Sequence, residues 1–207
     1  KNKKQADSSN EVHDWAWADF QRPDGSNPII SPDSTTRFYC PLTKDSVDWE
    51  SNDTFNPAAT IYDGKVVVLY RAEDKSGQGI GGRTSRLGYA WSEDGLKFQR
   101  ESTPTFYPDN DNQKELEWPG GCEDPRVTMT EDGMYVMLYT QWNRKQARLA
   151  VATTRDLKKW EKHGPAFAKA YNGRFKDDFS KSASIITKLI DGKQVIAKID
   201  GKYWMYW

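Results

Sequence analysis

The sequence has few of the residues that build metal centres, disulfide frameworks or nucleophilic triads. It contains two cysteines and two histidines among 207 residues, and His13 and His163 are isolated from each other. A structural zinc site, a disulfide framework and a Ser-His-Asp triad are therefore poorly supported, and we expect no metal ligands. Whether Cys40 and Cys122 pair stays open, because spacing alone does not decide it.

Net charge and long apolar runs are also absent. The 30 basic residues balance the 30 acidic ones, so the overall field gives no reason to expect nucleic acid or an anionic membrane as partner. No run approaches the ~20 apolar residues of a membrane-spanning helix. Mean hydropathy is −0.89, yet 13% of residues are aromatic. This composition is typical of short half-buried strands and also of carbohydrate clefts, since a ring offers a flat apolar face.

What the sequence does have is a repeat. Residues 56–69 read NPAATIYDGKVVVL, and residues 124–138 read DPRVTMTEDGMYVML. A second block, residues 86–98, returns as residues 148–160, and a third copy begins near Lys181. Repetition at this period predicts an array or ring of all-β units.

Asp-Gly steps separate alternating runs within each repeat, which is a strong hairpin signal. Four strands per unit predict the blade of a β-propeller. Propellers typically have 4–8 blades, and the chain has room for about three units. We therefore expect a lead segment at residues 1–27 and a propeller catalytic domain at residues 28–207, truncated at its C-terminus. A helical turn is expected only at Asp156–Trp160.

The segment Trp118–Arg126 carries the first candidate chemistry. We expect it to form a rigid rim rather than a regular strand, because it combines two glycines, two carboxylates and a proline. Glu123 and Asp124 are adjacent, so on a strand their side chains would face opposite sides. An acid in a partly desolvated cleft can have its pKa raised enough to donate a proton. The alternative is structural, with Asp124 capping a turn and Arg126 pairing with Glu123.

Charged residues also end the next candidate strand. Arg71, Glu73 and Asp74 follow an apolar run, and an arginine fork can bind sugar hydroxyls or an anion. The alternative is a surface ion pair that contributes little. Lys181 stands at the rim of the third unit, where it would bind an anionic oxygen or remain solvated.

Two further segments are interpreted as structural. Ser92–Phe98 and Thr154–Trp160 each place a hydroxyl two residues before an aspartate, a pattern that favours a self-bonded turn.

Taken together, these segments resemble glycoside hydrolase family 130, the β-mannoside phosphorylases and β-mannosidases. The resemblance rests on Asn27–Ile30, Phe55–Ala59, Leu69–Asp74, Arg86–Gly95, Gly121–Arg126, Ala152–Trp160 and Gly201–Tyr203. It implies an all-β fold, a five-bladed β-propeller of which this chain covers about three blades, with the substrate at its centre.

The family's motifs imply roles for matching residues. The aspartate of Glu-Asp-Pro-Arg is the general acid, here Asp124, and acts in the phosphorylases through a sugar hydroxyl. The asparagine of Asn-Pro and the arginine fifteen residues on contact the sugar in the −1 subsite, here Asn56 and Arg71. Phosphorylases carry Asn-Arg-Asn where this chain has Ser180–Ser182. This difference argues against the use of phosphate as a co-substrate. Residues 79–86 look most like the secreted β-mannosidase branch.

The expected function is therefore an inverting glycoside hydrolase acting on β-mannosides, with β-1,2-linked manno-oligosaccharides as substrate. Asp124 would protonate the leaving group, and a second carboxylate, ~6.5–9.5 Å away, would activate water. No convincing base was identified among the 207 residues. The other candidate site residues bind substrate: Asn56, Arg71, Asp74, Glu123, Arg126 and Lys181.

Two alternatives remain. One is a β-mannoside phosphorylase that releases mannose 1-phosphate, with inorganic phosphate as co-substrate; the other is a non-catalytic carbohydrate-binding propeller. No cofactor, nucleic acid or membrane span is expected, and the oligomeric state is open. The polar start, Lys1–Asn10, and the secreted-branch likeness favour the periplasm or cell surface.

Overall fold

The computed structural model describes residues 22–191 and 193–207, and these residues are mostly β with almost no helix. The predicted lead segment lies outside the described residues as far as residue 21. The helical elements are one short helix, α1 (Lys114–Glu117), and a 3-10 turn at Ala170–Gly173. The strands are β1 (Phe38–Cys40), β2 (Asp45–Val47), β3 (Asp53–Tyr62), β4 (Lys65–Glu73), β5 (Ser85–Ser92), β6 (Gln99–Arg100), β7 (Gly121–Met129), β8 (Tyr135–Trp142), β9 (Ala147–Thr154), β10 (Glu161–Pro165), β11 (Ser184–Ile185), β12 (Thr187–Ile190), β13 (Lys193–Ile196), β14 (Lys198–Ile199), β15 (Lys202–Tyr203) and β16 (Met205–Tyr206).

Two four-stranded antiparallel units account for eight of the sixteen strands in the described residues. The first unit is β3-β4-β5-β6 and the second is β7-β8-β9-β10, each pairing in chain order. They meet at one parallel pair, Ser85 with Gly121. The C-terminal strands form small two-stranded pairs, and β13 touches β7 through Val195 and Met129.

The repeat predicted from the sequence is thus confirmed for two units. The described residues form no closed barrel. The number of blades, and closure into a propeller, stay predictions. None of the helices within residues 22–191 and 193–207 is long and apolar enough to span a membrane.

The main core lies between the two units. Leu69 and Leu87 of the first unit pack with Met137 and Ala150 of the second, and all four are at most 1% exposed. Burial of each leucine or methionine side chain contributes about 1.5–3 kcal/mol. A second cluster joins the first unit to β1, and a third joins the second unit to the C-terminal strands. The apolar sides of the sheets therefore hold the units face to face.

The first unit contains a buried cluster of a tyrosine, a glutamate and an arginine. Tyr70 donates its hydroxyl proton to Glu50 Oε2 at 2.8 Å, and Arg100 Nη1 lies 3.2 Å from the same oxygen. Glu50 is 0% exposed. Burial raises the pKa of Glu50, although Thr36, Tyr70 and Arg100 each act to lower it.

The second unit repeats this cluster with other sequence partners. Tyr139 donates to Glu117 Oε1 at 2.7 Å, and Lys162 Nζ donates to Glu117 Oε2 at 2.6 Å. Glu117 is 0% exposed, and burial raises its pKa against the opposing effect of Lys162. Tyr70 and Tyr139 occupy matching positions in the two units. Phe55, just before the first Asx-Pro step, pairs with Arg71, and Glu123, just before the second, pairs with Thr140. Each tyrosine lies one residue before that partner. We call these two groups the Tyr-Glu clusters.

The hairpin prediction is confirmed where both Asp and Gly are described. Asp63 and Gly64 have φ of 49° and 71°, and both positive values are those of a type I′ turn. Gly192, the glycine of the Asp191 hairpin, lies outside the described residues.

Two structural predictions from the sequence were wrong in detail. The sequence pattern predicts a strand at Leu96–Gln99, but Leu96 and Lys97 do not join it, because their N–H groups donate to Asp94 Oδ1 at 2.8 and 2.9 Å. Asp156–Trp160 is not helical, because Asp156 Oδ1 accepts the N–H groups of Lys158 and Lys159 at 2.9 and 2.7 Å. Both segments are self-bonded turns, so their structural interpretation is confirmed.

The two cysteines do not pair. Cys40 and Cys122 are both buried and both carry free thiols.

Candidate functional site

Two matching β-bulges shape the site. In each unit the strand pairing shifts across an Asx-Pro step, between Phe55 and Ala58 in β3 and between Glu123 and Arg126 in β7. Asn56 and Asp124 have φ of 45° and 50°, in the left-handed region that these residue types tolerate. The following proline has no N–H to offer the ladder, which favours a bulge at this point. The bulges turn both side chains to one place, where Asn56 Nδ2 donates to Asp124 Oδ1 at 2.9 Å.

The bulge in β7 also overturns the expectation that Glu123 and Asp124 face opposite sides. Arg71 of β4 donates from Nη1 to Asp124 Oδ1 at 3.0 Å and from Nη2 to Glu123 Oε1 at 2.8 Å. Strict alternation would have separated the two carboxylates. A bulge interrupts that alternation, so adjacent residues share one guanidinium. Residues 121–126 of this segment belong to β7, and the bulge together with the positive φ of Gly121 and Asp124 confirms that they form no regular strand.

Lys181 completes a closed circuit of alternating charges. Its Nζ lies 2.6 Å from Glu123 Oε2 and 3.2 Å from Asp124 Oδ2. Arg71 bonds the other oxygen of each carboxylate. We call Arg71, Glu123, Asp124 and Lys181 the charge ring. The side chains of Arg71, Glu123 and Asp124 are 2%, 3% and 6% exposed, whereas that of Lys181 is 39% exposed.

Behind Arg71 lies a second layer of polar groups. Glu73, which is 0% exposed, accepts from Arg71 Nη2 at 2.6 Å, and Arg71 Nε donates to Ser85 Oγ at 3.0 Å. Arg83 Nη1 lies 3.3 Å from the other oxygen of Glu73. The ring of Phe55 stacks on the guanidinium of Arg71, 4.6 Å from Cζ to the centroid. Arg71 is therefore fixed from several sides.

Sequence reasoning left Glu73 out of the candidate site and did not single out Ser85. Glu73 carried a usable signal, because residues two apart on one strand lie on the same face as each other. Ser85 carried none, since it reaches Arg71 only through the pairing of β5 with β4.

Five of the seven predicted site residues come together, namely Asn56, Arg71, Glu123, Asp124 and Lys181. Asp74 and Arg126 do not join them. Asp74 is buried and accepts from Arg86 Nη1 at 2.7 Å and from Ser76 N at 3.0 Å. Arg126 is exposed and donates to the carbonyl of Pro125 at 2.9 Å. The alternative pairing of Arg126 with Glu123 is wrong, because Glu123 pairs with Arg71 and Lys181.

Burial and neighbouring charges act differently on the two ring carboxylates. Burial raises the pKa of Glu123, and the guanidinium of Arg71 and the ammonium of Lys181 do not fully offset it. Burial also acts to raise the pKa of Asp124, but the bond from Asn56 and the charges of Arg71 and Lys181 lower it further, so the net direction is down. The expectation of a raised pKa at Asp124 was therefore wrong for this arrangement of the ring.

The junction of the two units lies two residues before Glu123. Gly121 has φ of 115°, and a Cβ at this position would overlap the backbone of Ser85. Only glycine allows this close approach of β7 to β5. Gly121 therefore brings the strand that carries both acids against the sheet that carries Arg71.

Comparisons with known proteins show the family of the chain. A family model for glycoside hydrolase family 130, described as beta-1,4-mannooligosaccharide phosphorylase, matches residues 21–207. The 1,2-beta-oligomannan phosphorylase of Thermoanaerobacter sp. (strain X514) is 34% identical over 159 residues, which is 75% of this chain and 49% of that protein.

Two solved structures are more similar. A glycosyl hydrolase from Bacteroides ovatus is 69% identical, with a TM-score of 0.93 over 96% of this chain and 55% of that chain. A structure reported under the name "The GH130 family of mannoside phosphorylases contains glycoside hydrolases that target beta-1,2 mannosidic linkages in Candida mannan" is 70% identical, with a TM-score of 0.92 over 94% of this chain and 54% of that chain. The chain thus spans about half the length of these relatives.

Proposed function

The chain belongs to glycoside hydrolase family 130, and we propose that it forms part of an enzyme that cleaves β-1,2-linked mannosides. The observation that carries the proposal is the charge ring. Asp124 lies at the meeting point of β3, β4 and β7, bonded to Asn56 and Arg71. These are the residues that the family resemblance assigns to the general acid and to the −1 subsite.

In this reaction Asp124 donates its proton to the departing glycosidic oxygen, directly or through a sugar hydroxyl. The bond between C1 and that oxygen breaks as an acceptor oxygen attacks C1 from the opposite face, which inverts the configuration. Asn56 is exposed beside Asp124 and is the side chain best placed to contact the sugar. A base then removes the proton of the acceptor when the acceptor is water.

Arg71 has a positioning role in this proposal. Four of the five guanidinium N–H groups already bond to protein, one each to Ser85, Asp124, Glu73 and Glu123. One N–H remains for a substrate oxygen. Arg71 therefore acts mainly by holding Glu123 and Asp124 at fixed positions.

The names of the relatives favour phosphate as the acceptor over the water that the sequence led us to expect. Both the family model and the Thermoanaerobacter relative carry the name of a phosphorylase. The leading form of the proposal is therefore a β-mannoside phosphorylase that releases mannose 1-phosphate.

Hydrolysis is a second candidate, and two specific observations favour it. The 70% identical structure is reported with glycoside hydrolases that target β-1,2-mannosidic linkages. In addition, the two cations of the charge ring already pair with its carboxylates, and Glu73 adds a third buried carboxylate. A negatively charged phosphate gains less from such a site than a neutral water does.

We propose further that the two matched units are blades of a five-bladed propeller and that the enzyme works in the periplasm or at the cell surface. The pairing of four antiparallel strands in each unit supports the first proposal. The second rests on the polar start of the sequence and on its likeness to the secreted branch.

The test is incubation of the full-length protein with β-1,2-mannobiose, with and without inorganic phosphate. Strict dependence on phosphate and release of mannose 1-phosphate support phosphorolysis. Free mannose at a rate independent of phosphate supports hydrolysis. Sugar binding without turnover under either condition contradicts both and supports a carbohydrate-binding role.

A further inference from the structure

We propose that Lys181 is a removable cation, which keeps Asp124 ionised within the charge ring and leaves that position when the sugar binds. Asp124 then takes up from solvent the proton that it later donates. This inference rests on the proposed role of Asp124 as general acid. It assigns to Lys181 the timing of protonation rather than the binding of phosphate or sugar.

The exposure of the ring members is the first argument. Arg71, Glu123 and Asp124 are each at most 6% exposed, and Lys181 is 39% exposed. The ammonium group lies 3.2 Å from Asp124 Oδ2, the oxygen that neither Arg71 nor Asn56 bonds. A sugar hydroxyl that reaches this oxygen competes for it with the ammonium group.

The backbone on which Lys181 stands is the second argument. Ser180 donates its N–H to the carbonyl of Ala147 at 3.1 Å, and its Oγ accepts the N–H of Leu149 at 3.0 Å. The main chain before Lys181 is thereby attached to β9. Four methylene groups separate the lysine Cα from the ammonium group. The ammonium group can therefore move away while the backbone stays in place.

Arg71, by contrast, has no comparable freedom. It is bonded to Glu73, Glu123, Asp124 and Ser85, and removing it would leave buried carboxylates without their shared cation. Movement of the ring on sugar binding therefore falls to Lys181.

The charge balance is the third argument. The groups that face Asp124 are Asn56 from β3, Arg71 from β4, Glu123 on its own strand and Lys181. Glu73 lies behind Arg71, where Arg83 also reaches it. With Lys181 displaced, the single guanidinium of Arg71 faces three buried carboxylates. Neighbouring carboxylates that outnumber their cations share a proton, as coupled acids do.

The first experiment measures the titration of Asp124 directly. The full-length protein is labelled with ¹³C at aspartate Cγ, and the Asp124 resonance is assigned with Asp124→Asn. Replacing Lys181 with methionine should move the midpoint to higher pH, so that the protonated fraction above the wild-type midpoint rises about three- to tenfold. Lys181→Arg keeps the charge and should restore most of the wild-type titration.

Lys188→Met is the matched control. Lys188 is also a partly exposed lysine that pairs with a carboxylate, 3.1 Å from Glu131 Oε1. Its replacement should leave the Asp124 midpoint unchanged. An equal midpoint in wild type and Lys181→Met overturns the proposal, as does an equal shift in the Lys188 control.

The second experiment tests whether Lys181 leaves, using the full-length protein and β-1,2-mannobiose. The pH dependence of kcat/KM reports the free enzyme, and that of kcat reports the substrate complex. Lys181→Met should move the alkaline limb of kcat/KM to higher pH and leave that of kcat unchanged. A parallel shift in both limbs means that Lys181 stays in the complex and overturns its displacement. A wild-type protein without turnover contradicts the proposed function, while the titration still decides whether Lys181 keeps Asp124 ionised.

Discussion

The two four-stranded units share one buried cluster and differ in another. Each keeps its Tyr-Glu cluster, with Tyr70 on Glu50 in the first unit and Tyr139 on Glu117 in the second. The ring positions are not repeated. By register, Asn56 matches Asp124, and Arg71 matches Thr140. The repeated groups hold each sheet together, whereas the groups that differ supply the charges of the candidate site.

The difference follows from where the two units meet. Matching bulges direct one side chain from each unit toward a common point, where two aspartates would place like charges in contact and two asparagines would supply no acid. The first unit instead supplies the cation and a neutral amide, and the second supplies both acids. A site between repeats therefore requires that the repeats diverge at these positions.

The largest expected effect separates the two bulge residues. Asp124→Asn in the full-length protein should lower kcat by about 10²–10⁴-fold, because it removes the proposed general acid. Asn56→Ala should lower kcat by only about 2–13-fold, which corresponds to the loss of one hydrogen bond of about 0.5–1.5 kcal/mol. Steady-state kinetics with β-1,2-mannobiose measure both. Equal losses at the two positions would show that the bulges have equivalent roles.

The next effect separates the residues that face the bulges. Arg71→Met should lower the free energy of unfolding by about 3–5 kcal/mol, because three buried carboxylates lose their shared cation. Thr140→Val should leave it unchanged or raise it by up to about 1 kcal/mol, because the buried Thr140 hydroxyl has no hydrogen-bond partner within the described part of the chain. Urea denaturation provides the comparison. A loss of similar size in both variants would contradict it.

A smaller effect should be common to both units. Tyr70→Phe and Tyr139→Phe should each lower the free energy of unfolding by about 1.5–3 kcal/mol, because each removes a donor from a buried carboxylate. The two losses should be similar, since the Tyr-Glu clusters match. Unequal losses would mean that the two clusters share their geometry but differ in how much they stabilise the fold.

The cost of these Tyr variants should depend on pH. Burial raises the pKa values of Glu50 and Glu117 in the folded state. Stability from these groups is therefore full below their unfolded pKa of about 4.3 and is lost as pH rises through the raised folded values. The tyrosines stabilise the ionised carboxylates, so the Tyr→Phe losses should be larger at pH 8 than at pH 5. Urea unfolding at both values tests this, and equal losses would contradict it.

The smallest effect concerns the two self-bonded turns, Ser92–Phe98 and Thr154–Trp160. Bonds from the N–H groups of Lys97 and Leu96 and from the Ser92 hydroxyl lower the pKa of Asp94 to about 2. The contribution of Asp94 to stability is full above its unfolded pKa of about 3.9. It is lost as pH falls through the pKa of the folded state. Asp94→Asn and the matching Asp156→Asn should each lower Tm slightly at pH 6 and less at pH 3. Thermal melts that show no such pH dependence would contradict this origin.

The comparison also explains how much the sequence could predict. The repeat, the Asp-Gly hairpins and four of the site residues (Arg71, Glu123, Asp124 and Lys181) follow from local patterns, because turns and alternation are encoded by neighbours in the chain. Asn56 was predicted only by the family resemblance. The bulges were not predicted, since alternation placed Glu123 and Asp124 on opposite faces and only the strand pairing reverses this. Asp74 was grouped with Arg71 by sequence proximity, although its partner is Arg86.

The Tyr-Glu clusters were missed for a different reason. Glu50 and Glu117 lie outside the repeated strands, 20 and 22 residues before the tyrosines that they bind. No local motif marks such a pair, because a glutamate outside the strands becomes buried only when the sheet is complete. Periodicity therefore predicts the strands but not the residues between them that cover them.

The contact of Gly121 with Ser85 affects which substitutions the site can tolerate elsewhere in the two sheets. Main-chain atoms set the spacing of the two sheets here, so the reach from Arg71 to Asp124 does not depend on the volume of any side chain at the junction. Core residues elsewhere in either sheet can therefore exchange for others of similar size without altering that reach. Homologues with different cores should keep the same separation between guanidinium and carboxylate.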